Sequence, residues 1–78
     1  MSNETLTKLK ELAGQRFGEK AKTLPANADF FEALGIDSLQ ALDLLTDLEE
    51  AFDVEVPDYE LQDVHTFEAL AAVIEMRL

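Results

Sequence analysis

The sequence predicts an all-α fold: a small bundle of three main helices plus one short helix, with a long loop between helices 1 and 2. Three observations predict it. Apolar residues recur at spacings of three and four in separate stretches near residues 6–17, 42–52 and 67–74. A residue able to cap a helix start stands ahead of each stretch: Ser2 or Asn3, then Asp37, then Thr66. The one β-like run, Val54-Glu55-Val56, is too short and isolated to make a useful strand.

Each element has its own justification. Leu6, Leu9, Ala13 and Phe17 form one apolar face on the first helix. Gly14 weakens that helix slightly, and Gly18 is its expected stop. The connection from Glu19 to Asp37 contains Pro25 and is long for a compact domain, so it should hold local structure. Asp29 to Gly35 is the expected place: a short helical turn that pins Phe30 or Phe31 and Leu34 to the core.

The second helix has the clearest start. Asp37 is a good cap, and Gln40 three residues later completes a capping-box pattern. Leu42, Leu44, Leu45, Leu48, Ala51 and Phe52 then fall mostly on one side. Pro57-Asp58 starts a short helix through Leu61. Phe67, Leu70, Ala71 and Ile74 face inward on the last helix.

Size and composition limit the possible functions. A chain of 78 residues is expected to be one domain, 1–78. On that scale folding buries only about 60–65% of the chain's surface, which leaves little room for a deep catalytic cleft. There are no cysteines, so neither disulfides nor a thiolate metal site can reinforce the core. No signal-peptide pattern or membrane span is evident, and the expectation is a soluble, cytoplasmic monomer.

Charge is the first specific clue. The formal net charge is −11, and it is unevenly spread. Residues 1–22 carry five basic and three acidic residues; from Thr23 to Met76 there are fourteen acids and no Lys or Arg. Such a field repels nucleic acid and attracts basic protein partners.

Ser38 follows the cap residue directly, so it opens the second helix. Backbone N–H groups there lack intrahelical partners and the helix dipole is positive, which favours an attached phosphate. Gly35 lets the chain turn into the helix. At roughly 100° per residue, the core face centres on Leu48, Ala41 and Phe52. Leu39 then lies on the opposite side, beside Asp43 and Glu50. Asp43, Asp47 and Glu50 form an acidic stripe. A serine, an exposed leucine and a row of carboxylates together have the character of a docking surface.

The run Leu34-Gly35-Ile36-Asp37-Ser38-Leu39 resembles the phosphopantetheine attachment motif of acyl carrier proteins, centred on Asp-Ser-Leu after a Gly. The similarity continues from Leu48 through Asp58, and includes Asp29-Phe30-Phe31 and the last helix. The resemblance implies that a phosphopantetheinyl transferase moves a 4'-phosphopantetheine arm from coenzyme A to Ser38, flanked by Asp37 and Leu39. It implies a carrier, not an enzyme, that presents acyl thioesters to acyl-transferring, condensing or acyl-activating enzymes with basic docking patches. By the same resemblance, Leu39, Asp43, Glu49, Glu50 and Asp58 match partner-recognition positions, with Asp47 on the same acidic stripe. In many such carriers the acyl chain folds back between the helices. The implied setting is fatty acid, lipid or polyketide-type biosynthesis.

Gln40 and Gln62 depart from the family's pattern, standing where housekeeping fatty-acid carriers usually have acids, which leaves a dedicated pathway equally open. An aminoacyl or D-alanyl carrier is a further alternative. From a different class, an acidic helical adaptor with an unmodified Ser38 would show the same composition. A calcium sensor is disfavoured because the EF-hand loop pattern is absent. The lone His65 has no accompanying nucleophile or second base in the sequence, so it reads as structural.

Overall fold

Three long helices and three short ones account for most of the described residues. The structure, a computed structural model, describes residues 3–78. In order they are α1 (Asn3–Phe17), α2 (Glu19–Thr23), α3 (Phe30–Leu34), α4 (Ser38–Phe52), a 3-10 turn at Asp58–Leu61, and α5 (Phe67–Glu75). Among the described residues there is no strand, only one isolated bridge between Asp29 and Thr66. The all-α bundle read from the sequence is the observed fold. The capping role expected of Ser2 or Asn3 falls on side chains outside the described residues.

Leu9 and Ala13 of α1 are fully buried, with Leu6 and Phe17 packed at the edge of the same face. Gly18 ends α1 at φ 98°, a conformation L side chains rarely adopt. The chain does not then enter a loop, as the sequence suggested. It restarts at once as α2, held by the fully buried Ala21. One apolar residue in five gives no periodicity to detect, which is why α2 escapes a pattern reading.

The expected turn near residues 29–35 is α3. The Asp29 carboxylate accepts from the backbone N–H groups of Phe31 and Glu32 at 2.9 and 3.2 Å. Gly35 closes the helix at φ 66°, its N–H donating to the Phe31 carbonyl. Phe30 is the residue pinned into the core, and its ring stacks on Phe67 of α5 with centroids 5.4 Å apart. Phe31 and Leu34 are only half-buried. Backbone bonds from Phe30 to His65 and from Glu68 to Ala26 tie this segment to the start of α5. The role of His65 is thus partly structural: its carbonyl accepts from Phe30, and its ring packs edge-on against Phe31.

In α4 the core face is Ala41, Leu44, Leu45 and Leu48. Burying a leucine fully contributes about 1.5–3 kcal/mol, so this face and Leu70, Ala71 and Ile74 of α5 supply much of the driving force. Two expectations at its C-terminal end are corrected. Ala51 is exposed and Phe52 only half-buried: both lie in the last turn before the Asp53 cap, and Phe52 packs against the core from its margin. Asp53 ends α4 in the left-handed region at φ 55°. Thr66 caps α5 by accepting from the Ala69 N–H at 3.1 Å.

Candidate functional site

Ser38 is the first residue of α4 and is exposed. Its placement follows from its neighbours. Gly35 lets α3 end sharply, and Asp37 takes extended backbone, φ −108° and ψ 179°, before the helix begins. The capping box is complete. The Gln40 N–H donates to Asp37 Oδ1 at 2.9 Å, and the Asp37 N–H donates to Gln40 Oε1 at 3.1 Å. Gln40 therefore does structural work at a position where the resemblance led one to expect an acid. It brings no charge to the helix start, and α4 has no acidic residue in its first turn. An anionic group on Ser38 would meet the positive end of a fifteen-residue helix.

A cavity of about 180 Å³ lies beside Ser38, between α3, α4, the 3-10 turn and α5. Its walls are mainly apolar: Phe30, Phe31, Ile36, Ala41, Leu42, Leu44, Leu61, Val64 and Leu70. Asp58 and Gln62 join Ser38 as its polar lining. The sequence reading placed Asp58 among partner contacts and noted Gln62 as a departure; the fold brings both to one opening. The cavity itself was not legible, since its walls come from four successive elements whose packing against one another leaves no mark in the spacing of residues.

Leu39 is 68% exposed. It lies on the outer side of α4 near its start, as the helix geometry predicted. Asp43 and Glu50 are also exposed. Two other members of the expected acidic surface are engaged within the protein. Glu49 Oε2 accepts from the Val56 N–H at 2.8 Å, so this carboxylate fastens the chain leaving α4. Asp47 receives two hydrogen bonds from Arg16 of α1, at 2.8 and 3.0 Å, and Arg16 stands 4.0 Å from Asp43. These contacts, the Asp47 hydrogen bonds first, raise the Arg16 pKa further above its ordinary value.

The gap in basic residues between Thr23 and Met76 is thus narrower in space than in sequence. Arg16 reaches α4 from one side. Arg77 reaches back from the C-terminal end to pair with Glu60 and to donate to the Glu55 carbonyl at 2.9 Å. Spacing along the chain gave no sign of either contact. Among the described residues, no cluster of His, Asp or Glu has the arrangement of a metal site, and no helix is long and apolar enough to cross a membrane.

Ser38 thus opens a long capped helix beside an apolar cavity, on an acidic helical bundle. The phosphopantetheine attachment site family matches the chain over residues 7–74. The chain belongs to that family, as a carrier protein of the acyl carrier type. The family attaches a 4'-phosphopantetheine group covalently, and its domains work with modifying transferases and acyl-handling enzymes.

Proposed function

We propose that Ser38 is the attachment residue and that the protein carries acyl intermediates between enzymes of fatty acid, lipid or polyketide-type synthesis. The observation that carries this is the position of Ser38: exposed, first in α4, and on the rim of the apolar cavity. In the modification, the Ser38 oxygen bonds to the phosphorus bearing the pantetheine of coenzyme A. Adenosine 3',5'-bisphosphate leaves, and the hydroxyl proton passes to a base on the transferase. The attached arm supplies a terminal thiol, which this cysteine-free chain lacks, for holding acyl groups as thioesters.

The chain's own residues position and protect. The free N-terminal end of α4 favours the phosphodiester. The cavity walls offer an apolar cargo shelter from water, which favours an acyl chain over an amino acid. Leu39 supplies an apolar contact for partners, and Asp43, Glu50 and Asp58 supply charge for basic patches on them. The carrier contributes no catalytic group; the chemistry belongs to the cytoplasmic enzymes it visits as a monomeric domain. Intact-mass measurement after treatment with coenzyme A and a broad-specificity transferase tests the assignment, with Ser38→Ala as the control.

A further inference from the structure

Arg16 lies in the part of the chain where bases outnumber acids, yet the bundle carries it across to the most acidic helix face. Its Nε and Nη2 donate to the two oxygens of Asp47 at 2.8 and 3.0 Å, and its Nη1 is 4.0 Å from Asp43. Two of the three carboxylates in the Asp43, Asp47 and Glu50 stripe therefore share one cation. The bidentate fork is the geometry by which an arriving arginine would also bind a carboxylate.

The pair is not locked away. The side chains of Arg16 and Asp47 are 37% and 31% exposed. Leu12, Gln15, Glu50 and Ala51 complete a shallow depression around them, between α1 and α4. Ion pairs this open add little to stability. Their larger consequence is for the field of the α4 face, where a partner's arginine must compete with a guanidinium already in place.

We propose that Arg16 is an internal counter-ion that weakens docking of arginine-bearing partners on the α4 face, and that such a partner displaces it from Asp47. This rests on the reading of α4 as the docking surface. It makes Arg16 a determinant of partner strength, although it lies on α1, outside the stripe itself.

The test measures phosphopantetheine transfer by a broad-specificity transferase at low and moderate salt. The proteins compared are the unaltered chain, Arg16→Gln, Lys8→Gln and Glu50→Lys, each checked by thermal melting. Lys8 pairs with Glu11 on its own helix, so its variant removes the same charge away from the Asp47 pair. Arg16→Gln is expected to raise kcat/KM roughly three- to tenfold at low salt, through a lower KM, and to steepen its fall with salt. Lys8→Gln is expected to change it less than about twofold. An unchanged or slower Arg16→Gln, or an equal gain in both variants, overturns the proposal. Should Arg16→Gln fail to fold, Arg16→Met removes the charge and keeps the apolar stem, and a lack of gain there overturns it equally. Glu50→Lys separates the two levels. If it does not slow transfer, the α4 docking surface falls and the proposal with it. If it slows transfer while Arg16→Gln brings no gain, the internal counter-ion alone is wrong.

Discussion

Asp37 and Gln40 cap each other across the start of α4: each side chain accepts a hydrogen bond from the other's backbone N–H, at 2.9 and 3.1 Å. Ser38 sits between them, so the residue proposed to carry the prosthetic group is held by a reciprocal bond that includes neither its own side chain nor Leu39's. The box sets the direction in which α4 leaves Gly35 and hence where the Ser38 hydroxyl is presented.

Removing one half of the box should loosen that presentation. Gln40→Ala leaves the Asp37 N–H without its partner and should cost about 0.5–1.5 kcal/mol. Gln40→Glu, which restores an acceptor and adds a favourable charge in the first turn, should recover the loss. Urea unfolding of the three proteins checks this. Equal stability of Gln40→Ala and the unaltered chain would show that the box contributes nothing.

Glu49 and Glu50 are adjacent in sequence and should behave differently. Glu49 holds the Val56 N–H at 2.8 Å, while Glu50 is exposed on the outer strip. Glu49→Ala should lower stability by about 1–3 kcal/mol, the range for leaving a buried hydrogen-bonding group, here the Val56 N–H, without its partner. Glu50→Ala should change it by less than about 0.5 kcal/mol. Thermal melting of both variants decides the matter. Matching melting temperatures would return Glu49 to the docking surface where the family resemblance first put it.

Leu39 and Leu48 offer the same contrast for apolar residues. Leu39 is 68% exposed and Leu48 fully buried. Leu48→Ala should cost about 2–5 kcal/mol, while Leu39→Ala stays within about 0.5–1 kcal/mol. Leu39→Ala should instead slow transfer of phosphopantetheine, since a partner loses an apolar contact. The half-buried Phe52 should cost less on truncation to Ala than the 3–5 kcal/mol typical of a fully buried ring. If Leu39→Ala unfolds the protein as readily as Leu48→Ala, Leu39 belongs to the core.

These contrasts also mark what the sequence made legible. Helix starts were readable because their signals are local: Asp37 with Gln40, and Thr66 before Phe67, are complete within four residues. So was the inward set of α5, whose four expected residues are all buried. The serine's place at the start of α4 followed from the cap alone. What escaped was local but patternless, as in α2, or long-range. No periodicity tells that Arg16 crosses to Asp47, that Arg77 turns back to Glu60, or that four elements leave a cavity beside Ser38. The face of α4 departed from expectation at Leu42 and Phe52, which are half-buried, and at Ala51, which is exposed.

Fourteen carboxylates between Thr23 and Met76, with Arg16 and Arg77 reaching in to pair with Asp47 and Glu60, should still repel one another in the folded state. Sodium chloride, and more strongly magnesium chloride at equal ionic strength, should therefore raise the Tm at neutral pH. A Tm indifferent to both salts would mean that the carboxylates are too far apart or too well solvated to strain the fold.

The most direct test of the carrier assignment is the intact mass of the protein after incubation with coenzyme A and a broad-specificity phosphopantetheinyl transferase. The expected result is a single added phosphopantetheine on the unaltered chain, located to the peptide containing Ser38, and no addition to Ser38→Ala. Addition at another serine, or an unmodified chain under conditions that fully convert a control carrier, would contradict it.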